Sequence, residues 1–533
     1  MTLSLPGESN GKGAADTCST ATTLPDLVRQ HAQTRGGSSA FLCEHRRSTF
    51  SQFHGATSRV ANGLISAGIS NQLRFAYLCR NSDYVFEMFY GGLKAGAVAV
   101  GINWRLSSDE VAYTLRDSES RLIFTDAETL PLAQAAAKNC PLVREIIAID
   151  APTGDIVDFL QWRDAQSDAD PKRDISADYT ASQLYTSGTT GKPKGVPLTH
   201  RNFIEQRRAA AGTGRWMNAG ESDVVLVVMP IYHVGGLTMG TIAFHQGAAT
   251  VVSRNPHPAS LIETIERHGV TQLFLVPTVI QALLDHPDCS AEKLKSLRLL
   301  RYGAAPISAQ LLRQARATLR CDLTQVYGMT EATGTVACLP PHDHNDSEAD
   351  RKMRSCGKAL ATVSIRIMNA QGEPVPQGVI GEICVRAGSL MAGYWKQRAA
   401  TEEAFHGEWY RSGDAGFLDE AGYVYIQDRI KDMIISGGEN IYPAEVESIL
   451  CEHPEVAEAA VIGVPDRQWG ESVRAVVVRR TGASVTEAGL IQFVRDRIAR
   501  FKAPKTVEFV DTLPKTASGK ILRRELRSRQ AAE

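Results

Sequence analysis

No Cys-x-x-Cys pair occurs in this chain. Its ten cysteines, Cys18, Cys43, Cys79, Cys140, Cys289, Cys321, Cys338, Cys356, Cys384 and Cys451, are scattered through 533 residues. That scatter indicates neither a zinc site nor a disulfide framework. It reads as reduced, mostly buried thiols in a cytoplasmic protein. A surplus of either charge is lacking too: 58 basic and 59 acidic residues leave a formal net charge of −1. No basic excess argues for nucleic acid, and no acidic tail argues for a solvating segment. The opening stretch, MTLSLPGESNGKGAADTCSTATT, has neither the apolar core of a secretory signal nor the arginines of a transit peptide. Residues 1–22 are expected to form a disordered tail.

An unbroken apolar run is missing as well. The nearest, residues 224–244 (VVLVVMPIYHVGGLTMGTIAF), is long enough for a bilayer. It is interrupted by Pro230, His233, Gly235, Gly236 and Gly240. It reads as a buried strand, a loop and a buried helix, so no transmembrane segment is expected.

What is present is an α/β alternation. Strand-like RFAYLC is followed by helical DYVFEMFYGGLKAG and strand-like AVAVGIN, and RLIFTD, REIIAID, VVLVVMP, AATVVS, TQLFLVP and LRLLRYG continue the series. Such apolar runs suit strands of mostly parallel sheets covered on both faces. After about Gly381 the pattern turns to short, more antiparallel strands (GEICVRAGSLMAGYW, GYVYIQDRI), a β-rich subdomain. After Arg429 a compact α+β unit follows, with a helix expected over EAGLIQFVRDRIARF and an apolar stripe of Leu490, Phe493, Val494 and Ile498. The length exceeds what one core serves. The expected organisation is a large domain over 23–428 and a small C-terminal domain over 429–533.

The stretch YTSGTTGKPKG, residues 185–195, follows the short strand SQLYT. Thr186, Ser187, Thr189 and Thr190 offer hydroxyls. Gly188, Gly191 and Gly195 let backbone N–H groups approach a ligand, and Lys192 and Lys194 add positive charge. The set suits a polyphosphate. It is not a Walker A loop, because Lys192 is followed by a proline.

This stretch resembles the phosphate-loop signature of the adenylate-forming superfamily: acyl- and aryl-CoA synthetases, peptide-synthetase adenylation domains and luciferases. Companion motifs appear in that family's order: YHVGG at 232–236, YGAAP at 302–306, YGMTE at 327–331, YRSGD at 410–414, DRIKDMIISGGENIYP at 428–443 and PKTASGK at 514–520. The resemblance runs from about residue 25 to about residue 528. It implies attack of a carboxylate on the α-phosphorus of ATP, giving acyl-adenylate and pyrophosphate, and then transfer of the acyl group to a thiol, with coenzyme A as the expected acceptor. Bringing an anionic nucleophile to an anionic electrophile needs cations and N–H donors to screen the charge.

The resemblance also implies roles for residues. Lys520 bridges the carboxylate and the α-phosphate, a task for a compact point charge. Tyr327 offers an aromatic face to adenine, Thr330 bonds the α-phosphate, and Glu331 is the Mg²⁺ ligand. Gly303, Ala304 and Ala305 line the adenine pocket with backbone. Asp414 and Arg429 take the ribose. Lys431 is the hinge on which a mobile small domain turns between half-reactions, although Asp428 stands where relatives often have glycine. Gly437 and Gly438 leave room for pantetheine, and Trp469, Phe501 and Lys505 meet the nucleotide end of coenzyme A. His233, Val234, Gly235 and Gly328 border the acyl pocket. His233 gates or orients there and is no general base, because a carboxylate is already ionised near neutral pH.

The wording of several motifs resembles bacterial fatty acyl-CoA synthetases, so the expected acid is a medium- or long-chain fatty acid. Aryl, branched and short functionalised acids stay open, as does a carrier protein in place of coenzyme A. A non-catalytic nucleotide-binding protein and a P-loop NTPase are the rivals of other classes. A small-molecule acid, ATP and coenzyme A are the expected partners, with Mg²⁺ as cofactor and without nucleic acid. A homodimer and a peripheral membrane contact stay open.

Overall fold

A computed structural model describes residues 21–150, 156–186, 192–345, 348–437, 439–515 and 521–530, without the side chains of Arg215, Arg529 and Gln530. The expected tail lies almost wholly outside these residues. The architecture is a mixed α/β fold: a large N-terminal part built on parallel sheets and a smaller, β-rich C-terminal part.

The first large sheet has seven described strands. Their order is Val157–Asp158, Glu145–Ile149, Leu122–Asp126, Arg74–Leu78, Val98–Gly101, β1 (Thr180–Thr186) and β2 (Lys194–Thr199). All neighbours are parallel except β1 and β2. The chain then enters α1 (His200–Ala209), whose Thr199 cap accepts from the Asn202 N–H.

The stretch tested for a membrane span divides as expected into a strand, Val224–Val227, a loop, and α2 (Val234–His245). No described helix is long and apolar enough to cross a membrane. The strand belongs to a second sheet, of nine described strands, with β3 (Gln272–Leu275), β4 (Leu299–Gly303), β5 (Asp322–Met329) and β6 (Gly334–Leu339) as consecutive neighbours. It is parallel through its centre and antiparallel from β5 to β6. Alternation along its strands gives each face its own core. Leu226, Leu273, Leu300 and Leu323 share one apolar cluster, and Val225, Val227 and Phe274 belong to another.

The change of character after Gly381 is real. Ser364–Met368, Gly381–Arg386, Phe405–His406, β7 (Trp409–Leu418) and β8 (Val424–Arg429) form an antiparallel sheet. Beyond it, α3 (Pro443–Cys451) packs on a five-stranded sheet that contains Val456–Asp466 and Gly470–Arg479. One expected helix is shorter than its apolar pattern suggested: it spans Glu487–Arg495. Arg497 N–H and Ile498 N–H both return to Val494 O, at 3.0 and 3.1 Å, closing the helix end there. Leu490 and Val494 face the core, whereas Phe493 packs edge-on against His453 and Ile498 lies past the helix end.

Candidate active site

The parallel strands β4 and β5 end side by side, and their carboxyl ends carry the YGAAP and YGMTE segments. Crevices at such ends are where open α/β sheets hold ligands. At β4, Gly303 is buried and Ala304 is exposed with φ +65°, a left-handed conformation unusual for a residue with a side chain. Ala305 follows, half-buried. At β5, Gly328 is the residue on which a Cβ would run into the Gly334 carbonyl of β6. Thr330 is half-buried and opens a short 3₁₀ turn, Thr330–Ala332, which buries Glu331.

Thr186 and Lys194 are register partners at the open end of the β1–β2 pair. The loop residues between them, Ser187, Gly188, Thr189, Thr190 and Gly191, lie outside the described residues. Lys192 is exposed, with Nζ 5.8 Å from the Tyr113 ring centre. Lys194 is buried, with Nζ 4.7 Å above the Tyr394 ring. The Tyr394 hydroxyl donates to Glu331 Oε1 at 3.0 Å and lies 3.4 Å from the Tyr410 hydroxyl. Tyr394 thus joins the lysine arm of the loop to the Glu331 carboxylate. Burial, and next the Glu331 charge, push its phenol pKa up, so it stays protonated and donates. Among the described residues no cluster of three or more His, Cys, Asp or Glu is arranged to hold a metal.

Tyr327 is buried among Val336, Ala337, Cys356 and Val424, and its hydroxyl donates to Asp414 Oδ2 at 2.7 Å. Asp414 and Arg429 are direct register partners on β7 and β8. Arg429 Nε lies 2.8 Å from Asp414 Oδ1, and its Nη1 donates to Ser412 O at 2.9 Å. A buried carboxylate is stable here because a cation and a hydroxyl both engage it.

His233 caps the start of α2, followed by Val234 and Gly235. Its Nε2 is buried and has no hydrogen-bond partner among the described residues. Burial, helped by the Arg105 charge, lowers its pKa to about 4. The imidazole is therefore neutral near pH 7.

Lys431 is exposed in the 3₁₀ turn Ile430–Asp432. Its neighbour Asp428 is buried and accepts from the backbone N–H groups of Arg429 and Ala444, both at 2.7 Å. Ala444 lies in the first turn of α3, so Asp428 ties β8 to the C-terminal unit. Asp428, Asp432 and Glu447 surround Arg523, which is bidentate to Glu447 at 2.7 and 2.8 Å. Gly437, at φ +60°, leaves room for the Trp469 ring and donates its N–H to Trp469 O at 2.8 Å. Lys505 Nζ lies 5.8 Å from the same ring. Trp469 and Phe501 are exposed, at 42% and 43%. Gly438 and Lys520 lie outside the described residues.

Sequence reasoning missed Tyr394 and the tie made by Asp428. Tyr394 sits in LMAGYW, a stretch read only as strand and turn, and no polar pattern marks its hydroxyl.

The chain matches the family model described as AMP-binding enzyme over residues 28–395, and that of the AMP-binding enzyme C-terminal domain over 445–520. It is 39% identical to a fatty acid–[acyl-carrier-protein] ligase of Streptomyces coeruleorubidus, over 95% of this chain and 96% of that protein. Among solved structures it is similar to ATP-bound MatB from Rhodopseudomonas palustris, with TM-score 0.86 and 30% identity over 95% of this chain and 98% of the other. It is likewise similar to the o-succinylbenzoate CoA synthetase of Bacillus subtilis in complex with its acyl-adenylate intermediate, with TM-score 0.84 and 31% identity over 94% and 98%.

Proposed function

The chain belongs to the AMP-binding enzyme family, and from that premise we propose that it is an ATP-dependent acid–thiol ligase that passes through an acyl-adenylate. The observation that carries this reading is the convergence at the ends of β4 and β5: Lys194 on Tyr394, Tyr394 on Glu331, and Tyr327 on the Asp414–Arg429 pair.

In this reading Lys192 and Lys194 screen the β- and γ-phosphates, and Thr330 bonds the α-phosphate. Glu331, a single buried carboxylate positioned by Tyr394, fits the sparse protein ligation that Mg²⁺ takes beside phosphate oxygens, where the ion would neutralise phosphate charge. Asp414 and Arg429 hold the ribose, and the backbone of Gly303–Ala305 borders adenine. Tyr327 contributes ring surface there while its hydroxyl orients Asp414. Lys520 supplies the charge between carboxylate and α-phosphate. A pivot at Lys431, between domains of 23–428 and 429–533, then removes Lys520 and brings up Gly437 and Gly438. Trp469, Phe501 and Lys505 receive the nucleotide end of coenzyme A. Exposed aromatic rings beside a lysine support that assignment.

Coenzyme A is the proposed acceptor. A carrier protein is the second reading, favoured by the name of the 39%-identical Streptomyces relative. The acid suggested by motif wording is a medium- or long-chain fatty acid, with aryl and short functionalised acids as alternatives; the named relatives span both kinds. The nine described cysteines are unpaired, which supports a reducing, cytoplasmic setting. Mass spectrometry of products from the full chain with ATP, Mg²⁺, coenzyme A and an acid panel tests the proposal. AMP with acyl-CoA is the expected outcome; acyl-adenylate that loads only a phosphopantetheinylated carrier would favour the second reading.

A further inference from the structure

Two arginines are buried together with no carboxylate bound to either among the described residues. Arg207 of α1 is 8% exposed and Arg301 of β4 is 2% exposed. Every hydrogen-bond acceptor they meet is uncharged. Arg301 donates from Nε to Trp216 O at 3.2 Å, and from Nη2 to Asn218 O at 3.4 Å and Gln272 Oε1 at 2.8 Å. Arg207 donates from Nε to Gln206 Oε1 at 2.7 Å and from Nη1 to Met217 O at 3.4 Å. Both guanidinia therefore close on three successive carbonyls, Trp216, Met217 and Asn218.

Each keeps a nitrogen with no partner among the described residues, Nη2 of Arg207 and Nη1 of Arg301. So does the hydroxyl of Thr324, the register partner of Arg301 on β5. Burial, and next the charge of Arg301, pull the Arg207 pKa down to about 9. Burial pulls Arg301 to about 10, against the opposing pull of Asp223. Asp223 itself accepts from the Thr271 hydroxyl, from Gly220 N–H and from Arg298. Two like charges held in a dry interior are costly unless an anion completes them.

The place of the pair says which anion. Side chains two apart on a strand share a face, so Arg301 lies under Gly303, about 7 Å of strand below the candidate site. Thr324 lies in the same way under Val326 and Gly328. Phe274, the register partner of Arg301 on β3, is the ring nearest Gly235 at the start of α2. The row Phe274–Arg301–Thr324 thus runs beneath the residues assigned to the acyl pocket.

We propose that Arg207 and Arg301 recognise a second carboxylate at the far end of the acid, so that the substrate is a compact dicarboxylic acid rather than one with a plain hydrocarbon tail. The inference rests on the acid-activating reading and narrows its acid. Planar guanidinia suit a carboxylate by paired N–H bonds, and Thr324 adds a hydroxyl donor. A group of this kind also rejects apolar tails, because they leave both cations unpaired.

The test is AMP release by the full chain with ATP, Mg²⁺ and coenzyme A. The acids are short straight-chain and aromatic dicarboxylic acids, their monocarboxylic counterparts and long-chain fatty acids. The wild type is expected to prefer dicarboxylic acids, and Arg301→Met to lower kcat/KM for them roughly 10- to 100-fold while reversing the preference. Independently of turnover, the preferred diacid is expected to raise the melting temperature of the wild type more than its monocarboxylic counterpart or inorganic phosphate. AMP formed only from monocarboxylic acids, or equal stabilisation by phosphate alone, would overturn the subsite and leave the ligase reading standing. AMP from no acid, with no stabilisation by a diacid, would overturn both.

Discussion

Asp414 faces Arg429 directly across two antiparallel strands, Oδ1 to Nε at 2.8 Å, while its other oxygen receives the Tyr327 hydroxyl at 2.7 Å. One carboxylate therefore sets the position of an aromatic ring and of a guanidinium beside the proposed ribose site. Asp414→Asn keeps an acceptor for Tyr327 but removes the charge facing Arg429. Steady-state kinetics are expected to show the KM for ATP raised about 10-fold or more. The KM for coenzyme A is expected to stay unchanged.

Tyr394 is the only side chain described as donating to the Glu331 carboxylate. Tyr394→Phe keeps the ring beneath Lys194 and deletes one hydrogen bond, worth about 1.5–3 kcal/mol when the acceptor is charged. The Mg²⁺ concentration giving half-maximal rate is expected to rise severalfold. Glu331→Ala is expected to abolish adenylation outright. Equal Mg²⁺ dependence in Tyr394→Phe and wild type would remove Tyr394 from its positioning role.

Lys520→Ala is expected to abolish acyl-adenylate formation yet spare thioester formation from supplied acyl-AMP. Assaying the two half-reactions separately checks this. Equal loss of both would refute the role given to Lys520.

Four buried histidines and the half-buried His233 couple folding to pH. Burial holds His31, His200, His233 and His344 at a pKa of about 4, and His245 at about 3. Their unfolded value is about 6.5. Folded values lie below unfolded ones, so the unfolded chain binds the extra protons. The stability they give is complete above about pH 6.5 and is lost as pH falls toward 4, each contributing about 1.4 kcal/mol per pH unit in that window. Glu87, pushed up to about 7 by burial, works against this trend above its unfolded value of about 4.3. Thermal melts between pH 7 and 4 are expected to show a steep fall. His31→Gln or His200→Gln is expected to make that fall shallower.

Strands whose fate depends on apolar runs were legible in the sequence. VVLV, QLFL and LLRYG are short, β-branched or leucine-rich and flanked by breakers, and each is a buried strand. The helix at Glu487–Arg495 was over-extended because apolar periodicity alone does not mark where the backbone leaves the helix. Motif residues at strand ends were legible because Gly, Ser, Thr and Lys at fixed spacing announce a phosphate. The contacts among them were not. Tyr394 meets Glu331 from 63 residues away, and Asp428, noted only as standing where relatives often have glycine, is held by Ala444 and Arg523. Neither Arg207 nor Arg301 was singled out in the sequence. Only packing of α1 on the sheet brings both to the Trp216–Asn218 turn.

The most direct test of the central claim is acid-dependent exchange of labelled pyrophosphate into ATP in the absence of any thiol. The account predicts exchange with the full chain, ATP, Mg²⁺ and a cognate acid, abolished by Lys520→Ala and by Glu331→Ala. Hydrolysis of ATP to ADP, or nucleotide binding with no exchange from any acid in the panel, would contradict it.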